Sequence, residues 1–369
     1  MRLPRRAVSL NAVSSLKSPR KTPPGKRVTV RDIAKATGLH YTTVSLGLRN
    51  SHLLRARTRA KIQKAAARLG YTPDPMLAAL NAYRRATRTP HFQAVIAWIN
   101  NWPRRRELLD VSTFREYYEG VCSRAHELGY LVDEFWLREP GMTPEKLRRV
   151  LRTRNIQAVL MAPQPGSHIT PNFNFEGLAA VSFGYSMQPA VLNVITNHHF
   201  HSMSTMLSHL IALGYRRIGL YLSQDWDEKV NNAWLGSLLV AQRRHPKVVF
   251  IPEFEESPTD LRAWLRERRP DVVISHDGLA REIAALGYSI PRDLGFASLD
   301  LSPGERRLSG ICQNSFRIGQ KAVDLLVEMT HRGEFGIPEI PTRTLVEGVW
   351  VPGRTLRKQP APRKQRPML

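Results

Sequence analysis

From residue 91 onward, short β-prone runs alternate with helical patterns, and this alternation restricts the fold more than any other feature of the chain. Strands are expected at 92–99, 130–135, 158–161, 179–183, 217–222, 248–251, 271–275 and 294–298. Helices are expected between them at 114–128, 144–154, 201–213, 229–243, 259–267 and 318–331. Repeated strand–helix units place parallel strands beneath helices on both faces, and about eight units suffice for two such lobes. Ligands in sheets of this kind sit beyond the carboxyl ends of the strands.

The first 90 residues have a different texture and a different charge. Of the +24 formal charge of the 369-residue chain, residues 1–88 carry +18, residues 89–353 are neutral and residues 354–369 carry +6. A generally basic protein would not divide this way, and a polycationic end on a neutral body is the mark of a polyanionic partner, nucleic acid before membrane. Two cysteines, Cys122 and Cys312, are too few for a disulfide framework, and no apolar run approaches the ~18 residues of a membrane span. The start of the chain lacks an apolar signal core. A cytoplasmic protein is expected, with no membrane partner.

Residues 1–27 hold four prolines and eight positive charges without apolar periodicity, and read as a disordered basic arm. From Val28 the pattern tightens. Apolar residues at Val30, Ile33 and Ala34, then at Val44 and Leu48, with Gly38 and Leu39 between, give two short helices joined by a tight turn. A third helix over 56–69 has Ala60, Ile62, Ala65, Ala66 and Leu69 as its inner face and stops at Gly70. Pro73 and Pro75 open a segment of about two turns, too short to hold as a helix alone.

The stretch VTVRDIAKATGLHYTTVSLGLRNS, followed by TRAKIQKAAARLGYTPDPMLAAL, closely resembles the DNA-binding headpiece of the lactose-repressor (LacI/GalR) family. In the core, ALGYRRIGL, GYSIPRDLGFASLD and QNSFRIGQKAVDLL resemble elements of that family's effector domain. The resemblance implies an α/β chain with a helix-turn-helix headpiece (28–73), a hinge (74–90), a two-lobed core like a periplasmic binding protein (91–353) and a basic tail (354–369).

On this reading 41–48 is the recognition helix, whose first residues reach base edges in the major groove. Tyr41 and Thr42 point into the groove, Thr43 and Ser45 donate to phosphates, and Val44 and Leu48 pack inward. Leu46 stands where the family often carries Arg, so a bidentate guanine contact is absent there. Thr29, Arg31 and Arg49 join the DNA-binding set, with Arg55, Arg57, Arg59 and Lys61 as further backbone contacts. The family's hinge becomes helical when two copies pair in the minor groove, where a leucine wedges between base pairs. Leu80 matches that position, while Asp74, Leu77, Ala78 and Ala79 depart from the usual residues.

The resemblance also places Asp300 and Asp277 as effector ligands, since a carboxylate accepts several hydroxyl hydrogen bonds. Asn100 and Trp226 complete the candidate effector set. Trp98, Trp226 and Trp234 can line a cleft, although a core role is the commoner use of each. NNAWLGSLLVAQ lacks the arginine with which the family often grips a sugar. The histidines His198, His199, His201 and His209 are read as surface or core residues: His201 and His209 are eight apart, which suits one helix face but not one metal. No G-x-S-x-G, P-loop, G-x-G-x-x-G or H-E-x-x-H motif is found, so neither enzyme, metal nor cofactor is expected. The expected function is that of a homodimeric regulator, a repressor by resemblance, on a palindromic DNA operator with a small effector such as a sugar. The alternatives are a core that only dimerises, a solute-binding protein, or an enzymatic α/β core.

Overall fold

The computed structural model describes residues 28–48, 54–71, 94–255, 260–302 and 304–359. The basic arm, the hinge segment with Leu80, and Arg49 lie outside the described residues. The chain divides into two compact units, Met1–Pro75 and Met76–Leu369.

The first unit is a three-helix headpiece: α1 (Val30–Thr37), α2 (Tyr41–Leu48) and α3 (Ala56–Leu69). Helix α1 starts where a capping box satisfies its first amides: Thr29 accepts from the Asp32 amide, and the Asp32 carboxylate accepts from Thr29 N at 2.7 Å. Ile33, Val44, Ile62, Ala65 and Ala66, one face of each helix, form a small shared core. Ala60 departs from expectation and is exposed.

The second unit contains two parallel-rich sheets. The strands of lobe 1 are β1 (Ala94–Asn100), β2 (Tyr130–Trp136), β3 (Ala158–Met161), β4 (Ala179–Phe183), β5 (Asn193–Asn197) and β11 (Arg343–Val346), in the order β11-β5-β4-β3-β1-β2 and all parallel. Its helices are α4 (Glu107–Asp110), α5 (Ser112–Glu127), α6 (Pro144–Thr153) and α12 (Ser315–Arg332). Strand β1 shows why its sequence reads as one continuous apolar run: Ile96 and Trp98 face α5 and α12, while Ala97 and Ile99 face Leu147 and Leu151 of α6. Both faces are buried, as parallel sheets require.

Lobe 2 repeats the plan with β6 (Arg217–Ser223), β7 (Val249–Glu255), β8 (Val272–Ser275), β9 (Gly295–Ser298), β10 (Ser309–Cys312) and β12 (Val349–Val351). The order is β12-β10-β9-β8-β6-β7, with only the β10–β12 pair antiparallel. Helices α7 (His199–Ala212) and α9 (Ala233–Arg244) cover one face, α10 (Leu261–Arg268) and α11 (Leu279–Ala285) the other. The short α8 (Gln224–Glu228) follows β6 directly. The helix expected over 229–243 is interrupted because Asn231 and Asn232 adopt the left-handed conformation, with φ of 60° and 55°, which ends one helix before the next begins.

The chain crosses between lobes at 197–199, 312–315 and 346–349. The expected boundary at 353 falls short of the lobe. Thr355 is buried, exchanging backbone and hydroxyl bonds with Phe296 and Ser309, and Gln359 N donates to Leu213 O at 2.8 Å. No helix among the described residues is long and apolar enough to cross a membrane.

Candidate functional site

The headpiece presents α2 as a helix whose two sides differ. Val44 is fully buried against α3 and Leu48 packs on the same core, while Tyr41 is 54% exposed and Thr42 is exposed. The Tyr41 ring lies outside the headpiece core; its neighbour is the His40 ring, 4.5 Å away. The Thr42 hydroxyl shares a hydrogen bond with His40 Nδ1 at 2.8 Å, which orients the start of the helix. Thr43, Ser45 and Leu46 are half-buried along its flank. Thr29 proves to be the α1 cap, its hydroxyl engaged with Asp32 on both sides. Arg31 is exposed, as are Lys35, Arg55, Arg57, Lys61, Lys64 and Arg68. Against these cations the described headpiece holds one acid, Asp32.

In the core, a cavity of about 290 Å³ opens between the lobes. Its walls come from the carboxyl ends of strands in both sheets: Phe183 and Thr196 from lobe 1, and Leu222, His276, Leu299 and Gln313 from lobe 2. Asp300, Asp277 and Trp226, three of the four expected effector residues, line it. Asn100 does not. Its amide donates to Arg105 O (2.8 Å) and to Glu134 Oε1 (2.9 Å), and its carbonyl accepts from Trp102 N (2.9 Å), so it is fully used in bracing the loop after β1. Trp98 lies in the lobe 1 core, whereas the buried Trp234 reaches the cavity wall.

Burial, with the Glu116 and Asp277 carboxylates adding, holds the Asp300 carboxyl well above the ordinary range. The Thr113 hydroxyl of lobe 1 bonds Asp300 Oδ2, and the Ser302 hydroxyl bonds Asp277 Oδ2.

Sequence reasoning overlooked His199 in this setting. Buried and edge-on to Trp234, it shares a hydrogen bond between Nε2 and Thr196 Oγ1 at 3.1 Å, and its Nδ1 has no partner among the described residues. Burial lowers its pKa to about 3. The available signal was position: it opens the helix that follows a fully buried strand.

Aromatic rings add apolar area. Phe114 of lobe 1 stacks on Trp226 of lobe 2, with centroids 6.4 Å apart at 22°. The one Lys or Arg among the described lining residues is Lys229, which is committed to Asp225 (2.8 Å) and Pro165 O (2.7 Å). Around the mouth the lobes are latched: Ser167 N donates to Asp225 Oδ1 (2.6 Å), and Ser167 Oγ to Glu228 Oε2 (2.7 Å).

Residues 29–74 match the family described as bacterial regulatory proteins, lacI family, and residues 207–355 match the periplasmic binding protein-like domain. The headpiece is that of the lacI family, and the second half of the core is that of a periplasmic binding protein-like domain. The chain is a DNA-binding transcriptional regulator. Relatives run its length: it is 25% identical over 338 residues to the transcriptional regulator GntR of Escherichia coli, covering 85% of this chain and 95% of GntR. It is 21% identical over 332 residues to the transcriptional repressor PurR of Haemophilus influenzae, covering 83% and 92%.

The fold agrees. The lac repressor dimer bound to operator and the anti-inducer ONPF matches with a TM-score of 0.53 at 20% identity, covering 89% of this chain and 99% of that one. A lacI-family regulator from Enterococcus faecium with bound ribose matches at 0.52 and 15% identity, covering 72% and 100%. At these identities the structures speak for the fold alone. This chain carries Leu46 in the α2 helix, and the one Lys or Arg among the described residues lining its interlobe cavity is already paired.

Proposed function

We propose that the chain represses transcription as a homodimer on a roughly palindromic operator, and that a small neutral ligand in the interlobe cavity resets its DNA affinity. The observation that carries this is that Asp300 and His199 line one cavity: a half-buried carboxyl whose pKa is raised and a buried imidazole nitrogen without a partner among the described residues, both able to exchange hydrogen bonds with hydroxyl groups. A group left unsatisfied in this way costs about 1–3 kcal/mol, which a bound hydroxyl returns. With its one cationic lining residue already paired and three aspartates on the wall, the cavity disfavours an anion. Stacked aromatic rings suit the apolar face of a sugar or the flat face of a nucleobase.

Regulation then follows from linkage. Cavity walls come from both lobes, so a ligand favours the arrangement that brings Thr113 to Asp300 and Phe114 to Trp226. It alters DNA affinity only by its differential affinity for the two core states. Two-fold symmetry pairs two headpieces with two half-sites. Residues 74–90 serve as the hinge, with Leu80 as its wedge. We place the protein in the cytoplasm and read its core as a sensor rather than an enzyme.

Calorimetry of the full chain against neutral sugars, sugar acids and nucleosides tests this. A neutral member binds, Asp300→Ala abolishes its heat, and the sugar acids give none. If no member binds or shifts operator affinity, the core is a dimerisation body; if glycosides or nucleosides are turned over, it is an enzyme.

A further inference from the structure

The three crossings between the lobes run side by side and are bonded to one another. His198 N donates to Val346 O (2.8 Å), Asn197 Nδ2 donates to Val346 O (3.0 Å) and to Gln313 O (3.2 Å), and Asn314 Nδ2 donates to Glu347 O (2.8 Å). Gly348 lies so close to α7 that a Cβ there would stand 2.4 Å from Ser202 Oγ. These crossings hold a group of side chains that the cavity does not use. His198 precedes α7 and His201 lies three residues on, so both rings stand on one side of its first turn. Their Nδ1 atoms converge on the two oxygens of Glu347, at 2.8 Å and 2.5 Å.

We infer that His198, His201 and Glu347 form a site for a divalent transition metal of the zinc class, placed on the hinge between the lobes. The three ligand atoms lie within 4.8 Å of one another. Zinc bonds of about 2.0–2.2 Å to imidazole nitrogen and carboxylate oxygen place tetrahedral ligands roughly 3.3 Å apart. Each histidine–glutamate contact therefore has to open by less than about an ångström to seat the ion.

The ligands are carried by crossings whose backbones are bonded together, so most of the geometry is set before metal arrives. Two imidazoles and one carboxylate favour zinc, nickel or cobalt over magnesium, which prefers an all-oxygen shell. His201 and Glu347 are exposed and His198 is half-buried, leaving a fourth position to water. The other two histidines of the sequence cluster are occupied elsewhere: His199 faces the ligand cavity, and His209 stacks on Trp350 with centroids 4.7 Å apart. An ion here ties the first crossing to the third, the segments whose torsions must change when the lobes open.

The test uses the full chain stripped with a chelator and titrated with zinc chloride by calorimetry, in competition with a chromophoric chelator. One equivalent per chain is expected, weakened at least about 10-fold in both His201→Ala and Glu347→Gln. Excess magnesium should not compete, and cobalt should give a visible ligand-field band that both variants lose. Both substitutions are at exposed side chains, and unchanged thermal melts of the metal-free variants confirm that the fold survives. No saturable zinc binding at stoichiometric concentrations, or binding equal in wild type and both variants, overturns the site. The titration needs neither operator nor effector, so its outcome is independent of the regulatory proposal.

Discussion

Asp300 concentrates the chemistry of the core in one carboxyl. Its pKa is raised in the folded chain, so the native state binds one proton more than the unfolded state at any pH above the ordinary carboxylate range of about 4 and below the raised value. Stability contributed by this group is complete at low pH and falls as pH rises through that window. Asp300→Asn removes the titration, so the variant should gain on wild type in thermal midpoint as pH rises above the ordinary carboxylate range. A gap that does not change with pH would contradict the raised pKa. In the headpiece, Tyr41 is exposed and outside the small core. Tyr41→Ala should cost about 1–3 kcal/mol of operator binding with an unchanged melt; fluorescence anisotropy on a selected operator measures it. The sequence exposes Asp300 because it ends a matched motif, GYSIPRDLGFASLD. It hides His199 and misplaces Asn100, because whether a polar side chain is spent on its own loop or left open to a cavity depends on partners distant in the chain.

Helices α5 and α12 show what the elements contribute. They cross with backbones nearly touching: a Cβ at Gly120 would stand 2.0 Å from Phe316 O, and one at Gly319 would stand 2.1 Å from Tyr117 O. Because α5 also carries Thr113, Phe114 and Tyr117 into the cavity, this crossing sets the position of one cavity wall. Gly319→Ala should destabilise the core by about 1–3 kcal/mol, read as a lower denaturant midpoint at unchanged slope. A neutral result would show that the helices separate freely.

Elements with strong periodicity, such as α3, α6 and α12, are legible from the sequence to within a few residues. Strands β5, β10, β11 and β12 are not. Each is only three to five residues long, β10 contains Gly310, and β11 and β12 become strands by adding to an edge of a sheet that other segments build. Such strands owe their existence to tertiary pairing rather than to local preference.

At the scale of the whole molecule, charge and chemistry are separated. A front end of +18 is joined to a neutral body that contains the ligand cavity. This division is plain in the sequence because net charge needs no structure to be counted, whereas the latch joining Ser167 to Asp225 and Glu228 unites residues about 60 positions apart and becomes visible only in the fold. In the proposed function the cationic headpiece inserts α2 into duplex DNA while the body pairs and senses. The most direct measurement is the affinity of the full chain, over a range of salt, for a duplex selected from a random pool. The expected result is a two-fold-related sequence whose affinity falls about 1,000-fold or more between roughly 50 and 200 mM salt, as release of counterions from at least six phosphates requires. Failure to retain any duplex at low salt, or an affinity independent of salt, would contradict it.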